Sequence, residues 1–357
     1  MSALPRNRYI VMPPWNSDEV VWNPYDMSDM PVPDCAYLGR TFIAMEREGP
    51  FRDLTFYITS RLDTLPSYGS DVIAIVLSDE WCRIPRYTFK VRAIFKTYGT
   101  SLDVNWRAFF RLNFYELSAL VQDLRTLSFG LPYAAAFVRD FVRQWILRGT
   151  LPAWRIYDLP LGYFRQISVP FVAINDRQFD VFFAGSTVNR KEQIRLSDRL
   201  KPKFISRATM LKALRTLAAK QPQLAISTTL TSGFAERTAD VAVTYSQQMM
   251  QTKLCLVPRG TSLETYRFFE GIRFGCVILA ERLPCRWFYD GAPVITVADW
   301  RRLSDLIPDL LADSEHLQSL SEASLRWWSE RCSEDAVGTY VARTLSETLA
   351  RPAQLLN

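Results

Sequence analysis

The chain has 357 residues, 48% of them hydrophobic, which is enough apolar material for two domains, each with its own core. A formal charge of +6 is modest for this length and points to an anionic ligand or a membrane surface rather than to a dedicated nucleic-acid groove. A single histidine, His316, excludes most Ser-His-Asp, Cys-His and multi-histidine metal sites, and no two aspartates stand one residue apart, so no Asp-x-Asp metal motif exists.

From the N-terminus, MSALPRNRYIVMPPW lacks the apolar core of a secretory signal. No later segment approaches the roughly 18 uncharged residues of a spanning helix, and the expectation is a soluble cytoplasmic protein without a transmembrane segment. Residues 71–81 and 87–99 read as strands ending in polar turns, and Asp79 and Glu80 fall at the end of the first. Residues 115–127 and 133–147 read as helices, the second with Phe137, Phe141 and Trp145 on one face and Arg139 and Arg143 on another. Residues 158–171, rich in turn formers, connect the two halves.

From Asp180 a regular beat sets in. DVFFA (180–184) is a buried strand, 208–220 an amphipathic helix and 223–230 a strand; a helix over 238–251 precedes KLCLV (253–257), and another over 263–274 precedes CVILA (276–280). PVITV (293–297) then leads to a helix begun near Trp300. Such alternation implies a parallel sheet covered on both faces, with ligands at the carboxyl ends of its strands. The basic run from Arg190 to Arg215 reads as a solvated face that also draws an anionic acceptor or membrane surface. His316 reads as a solvated helix residue, Trp327 and Trp328 as packing residues, and the six cysteines, with no Cys-x-x-Cys pair, as reduced thiols. The expected domains are residues 1–157, residues 158–334, and a C-terminal helix over 335–357 that packs back on the protein.

The unit CLVPRGTSLETYRFFEGIRFGCVILAE, Cys255 to Glu281, joins a strand, a glycine-bearing turn and a charged helix start. Amides at such a start favour phosphate, and a carboxylate three residues beyond an arginine can accept bonds from ribose hydroxyls. The order Pro258-Arg259-Gly260, then Thr265, Arg267, Glu270 and a closing Gly275, resembles the nucleotide-sugar-binding core of exostosin-like glycosyltransferases, inverting enzymes of the GT-B architecture. DVFFAGSTVNR, Asp180 to Arg190, is similar to that family's earlier strand and glycine turn. The likeness covers about Asp158 to Ala280 and is weak over the first 150 residues.

The resemblance implies an α/β protein of two Rossmann-like domains facing a central cleft. It also implies a nucleotide-sugar site of Gly185, Ser186, Arg190, Arg259, Gly260, Thr265, Arg267 and Glu270. The arginines and Thr265 would stabilise the departing diphosphate without a metal or other cofactor, Glu270 would hold the ribose, and Gly185 and Gly260 would admit the ligand close to the backbone. The implied reaction moves a sugar, most readily from a UDP-linked donor, to a glycan or lipid-linked acceptor with inversion. Asp79, or Glu80 beside it, is the candidate base for the acceptor hydroxyl. The alternative is a catalytically inactive relative that keeps the donor pocket and acts as a partner subunit. An RNA-binding module is disfavoured, because no run of aromatics interleaved with arginine occurs.

Overall fold

Short apolar runs build the first sheet. A computed structural model of the chain describes residues 5–14, 18–26, 30–32, 34–101, 114–164, 166–186, 199–230 and 239–350. The chain divides into two compact units: one holds Met1–Leu102, Asp123–Leu161 and Ser333–Asn357, the other Asp103–Gln122 and Gly162–Cys332.

In the first unit, β1 (Arg8–Met12) pairs antiparallel with the edge strand β2 (Val20–Trp22). Helix α1 (Cys35–Glu48) then leads to β3 (Thr55–Thr59), β4 (Gly69–Val76) and β5 (Val91–Lys96), and α2 (Phe114–Arg148) to β6 (Ile156–Asp158). The sheet order is β2-β1-β3-β4-β5-β6, parallel everywhere except at β2. One face buries Ile10, Tyr57, Ala74, Val76 and Ile94. On α1, the buried carboxylate of Glu46 accepts from the Asn7 amide side chain at 2.8 Å and from the hydroxyls of Tyr9 and Tyr25, both at 2.9 Å. A charge that has left water needs such a full set of donors.

Three expectations are corrected here. The strand expected over 71–81 stops at Val76, because Ser78 takes φ 63, a left-handed conformation that turns the chain out of the sheet. The segment from Tyr87 to Lys90 is a turn, closed by Lys90 N–H to Tyr87 O at 2.9 Å, rather than the start of β5. The helices expected over 115–127 and 133–147 are one helix of 35 residues that runs through Pro132. A proline inside a helix removes one hydrogen bond and crowds the preceding turn, but its ring is exposed and helix-forming residues on both sides carry the spiral across.

The second unit follows the expected beat. In order come β7 (Phe179–Gly185), α3 (Pro202–Lys220), β8 (Ile226–Leu230), α4 (Ala239–Met250), β9 (Thr252–Val257), α5 (Tyr266–Arg273), β10 (Val277–Ala280), β11 (Val294–Thr296), α6 (Leu303–Ala312) and α7 (Ser314–Trp327). All five strands are parallel, in the order β11-β10-β9-β7-β8. The central strands β7, β9 and β10 carry unbroken buried apolar runs, VFFA, LCLV and VILA, as strands covered on both faces do, whereas the edge strand β8 is polar and largely exposed. Val181, Phe183, Leu254, Leu256, Val277 and Leu279 share a core with Met210, Leu214 and Leu217 of α3 and with Leu303 and Ile307 of α6. Trp327 is buried edge-on to Phe268 at 5.6 Å, and Trp328 packs against Tyr163 at 6.4 Å. His316 is exposed on α7, its N–H capped by Asp313 at 2.9 Å.

The last helix, α8 (Glu334–Ala350), returns to the first unit and packs along α1. No helix among the described residues is long and apolar enough to cross a membrane. All six cysteines are free thiols.

Candidate functional site

In the second sheet the strand order reverses between β7 and β9, and the carboxyl ends of strands at such a switch point are where α/β sheets form a ligand crevice. Gly185 and Ser186 end β7 at that point, and Pro258-Arg259-Gly260 follows β9. Thr265 then stands as the residue before α5 in extended conformation (φ −142°, ψ 144°), and its side chain makes no capping bond to the helix.

Arg267, on the first turn of α5, is 8% exposed. Its guanidinium lies over the Phe183 ring at 4.6 Å and donates from one terminal nitrogen to the Ala184 carbonyl. Its Nε and its other terminal nitrogen have no partner among the described residues. Arg259, 6% exposed, donates from one terminal nitrogen to Thr261 O at 3.3 Å, and its Nε is likewise unpartnered. The buried Thr265 hydroxyl also lacks a partner. Two cations and a hydroxyl therefore stand at one strand-end crevice with donors unsatisfied. Burying a charged donor without an acceptor is costly, and the chemistry that relieves it is an anion with several acceptor oxygens.

Gly185 has a steric role. A Cβ at this position would run into the Arg267 guanidinium, so the missing side chain leaves the volume that the arginine head occupies. At Gly260 a Cβ would meet Ser262 O at 3.5 Å and Thr265 Cγ2 at 3.6 Å, ordinary contacts, so packing within the protein does not require glycine there.

Glu270 is fully buried and engaged internally. Its carboxylate accepts from the Tyr245 hydroxyl at 2.6 Å and the Phe164 N–H at 3.2 Å, and its carbonyl from Gln166 Nε2 at 3.1 Å. It thereby ties α5 to α4 and to the segment entering this unit. A ribose contact would have to share the carboxylate with these donors. Arg190 lies outside the described residues.

Neither a family model nor a curated protein matches the sequence. Solved structures do. The chain is similar to a GtfA/B complex structure (TM-score 0.40, 11% identity, 79% of this chain and 58% of that one). It is similar also to a sucrose-phosphate synthase from Thermosynechococcus elongatus (TM-score 0.43, 11% identity, 88% and 93%) and to the spinosyn forosaminyltransferase SpnP (TM-score 0.35, 11% identity, 77% and 75%). The chain thus spans little more than half the length of the first of these. Likeness at this level carries no weight for activity, which has to be read from the side chains themselves.

Three residues that sequence reasoning passed over organise the crevice. Arg207 of α3 was grouped with a solvated basic run, of which Arg199, Lys201 and Lys212 are indeed exposed. Arg207 instead is buried, donating from Nε to Arg259 O at 3.2 Å and from a terminal nitrogen to Ser186 O. It ties the segments after β7 and β9 together. The signal was its spacing, since 207 falls in register with the buried Met210, Leu211, Leu214 and Leu217. Glu281, directly after β10, accepts from Trp300 Nε1 at 2.8 Å and from the hydroxyls of Tyr115 and Ser206. Burial, with Glu281 beside it, pushes the Tyr115 phenol far above its ordinary range, while Arg259 pulls the other way.

Asp79 and Glu80 belong to the first unit. Asp79 is 2% exposed and bound on both sides, by Lys96 Nζ at 3.1 Å and by Arg83 Nε and N–H, each at 2.9 Å. These surroundings are those of a structural ion-pair partner, both carboxylate oxygens being taken by cationic donors. Glu80 is half-buried in the turn that follows.

Proposed function

We propose that the protein is a glycosyltransferase of the GT-B type, similar to the exostosin-like enzymes, which binds a nucleoside diphosphate sugar at the crevice between β7 and β9. One observation carries this reading: Arg259 and Arg267 are both buried at the switch point with guanidinium nitrogens unpartnered, and the Thr265 hydroxyl waits beside them. As the sugar–phosphate bond breaks, charge grows on the leaving diphosphate. Fixed donors in a dry site stabilise that charge more than they stabilise the ground state. Arginine suits the task, since its planar fork matches phosphate oxygens and it stays charged when buried.

In this mechanism Arg267 and Arg259 bind the diphosphate, Thr265 donates to it, Gly185 and Ser186 line its approach, and Arg207 and Glu281 position the loops. Glu270 anchors α5 and reaches the ribose only by sharing its carboxylate. The acceptor hydroxyl attacks the anomeric carbon opposite the leaving group, giving inversion, and a carboxylate takes its proton. Asp79 and Glu80 are the candidates; Asp79 is held by Lys96 and Arg83, and we assign the base to Glu80. A UDP-linked donor and a glycan or lipid-linked acceptor complete the reading.

The test is a thermal-shift panel of UDP, GDP and their sugars. A ligand at ~100 times its dissociation constant stabilises by about 2.7 kcal/mol. Arg259→Ala and Arg267→Ala are each expected to abolish the shift, because a buried charge-assisted contact is lost. Stabilisation by none of these nucleotides, or an unchanged shift in both variants, rejects the site.

A further inference from the structure

Helix α2 inverts the usual rule of burial. Between Leu124 and Arg148 the enclosed positions include the polar Thr126 and Gln144, while Phe137 and Phe141 are half-buried beside Phe89, with ring centroids at 5.1 and 6.3 Å. Leu124, Leu131, Val138 and Trp145, seven residues apart and hence on one face, are all exposed, as is Ile146, at 74%. The apolar surface continues past the helix end into Leu151, 68% exposed. Trp145, set by sequence reasoning on one face with Phe137 and Phe141, is 49% exposed while those two are half-buried. A contiguous apolar surface of this kind marks an interaction site.

Charge selects the occupant. From Leu124 to Trp154 the chain carries Arg125, Arg139, Arg143 and Arg148 against a single acid, Asp140, which Arg139 already pairs at 2.9 Å. Arg125, Arg139 and Arg143 are exposed. The seven-residue spacing would also suit a second copy of the helix, but two such copies would set arginines against arginines with no acid to answer them. An apolar stripe with tryptophan, flanked by arginines, matches a surface that is apolar within and anionic at its face.

We propose that this face of α2 docks the protein on an anionic lipid surface, with Val138, Trp145, Ile146 and Leu151 entering the acyl boundary and Arg139 and Arg143 meeting the headgroups. The proposal stands apart from the donor site, since it uses none of those residues.

The test is co-sedimentation of the full chain with vesicles of phosphatidylcholine alone and of phosphatidylcholine mixed with phosphatidylglycerol, with oligomeric state followed by light scattering. Binding is expected to the anionic vesicles, to weaken with added salt, and to fall at least about tenfold in the exposed-face variant Val138→Gln/Trp145→Gln/Ile146→Gln. Each arginine removed, in Arg139→Gln and Arg143→Gln, is expected to cost about fivefold. All these positions are solvent-facing, and an unchanged melting temperature checks that the variants fold. No binding, equal binding to both vesicle types, or undiminished binding by the triple variant overturns the proposal. A dimer that the same substitutions dissociate, with vesicles left unbound, overturns it in favour of a second copy.

Discussion

At the scale of single residues, the Lys96–Asp79 pair is the most exacting arrangement in the first unit. Lys96 is fully buried and donates to Gly99 O at 2.6 Å as well as to the carboxylate. Replacing Lys96 by Met leaves Asp79 buried with only Arg83 as counter-charge, and the expected loss is about 3–5 kcal/mol in urea denaturation. The thiols make a second prediction. Burial pushes Cys276 up to about 11 and Cys35 up to about 12. A thiol whose folded value is raised contributes stability that is intact below the ordinary thiol range and is lost as pH climbs through the raised value. Stability measured against pH should therefore fall on the alkaline side, between about 9 and 12, and alkylation of the native protein at neutral pH should modify Cys285, the exposed thiol, first.

At the scale of elements, the crossing of α1 and α8 depends on Gly338. A Cβ there would lie 2.5 Å from Ala44 Cβ and 2.8 Å from both Met45 N and Thr41 O, and backbone atoms cannot swing aside. Gly338→Val should cost about 1–3 kcal/mol by overpacking, read as a lower urea midpoint with unchanged slope. The second unit's elements were legible in the sequence because strands covered on both faces are continuous apolar runs, and Gly275, at φ +69, marked the end of α5. The first unit was less so. Its strands β1, β2 and β3 are only three to five residues long, and no helix intervenes between β3 and β4 to give the beat. Within the site, Arg259, Arg267 and Thr265 could be named because they lie in one short stretch. The partners of Arg207, Glu281 and Tyr115 come from distant segments, and no local pattern announces such a meeting.

At the scale of the whole molecule, binding and turnover separate. Glu80→Gln should leave the nucleotide-induced thermal shift intact while stopping sugar transfer, whereas loss of Arg267 removes both; a Glu80→Gln variant that transfers at the parent rate rejects Glu80 as the base. Every unpartnered donor of the crevice belongs to a single unit, the one that holds Gly162–Cys332. On the proposed reading, the part that grips the anion is a cassette drawn from two separate stretches of chain: a graft that kept its taste in nucleotides would have to carry residues 103–122, with Tyr115, along with residues 162–332.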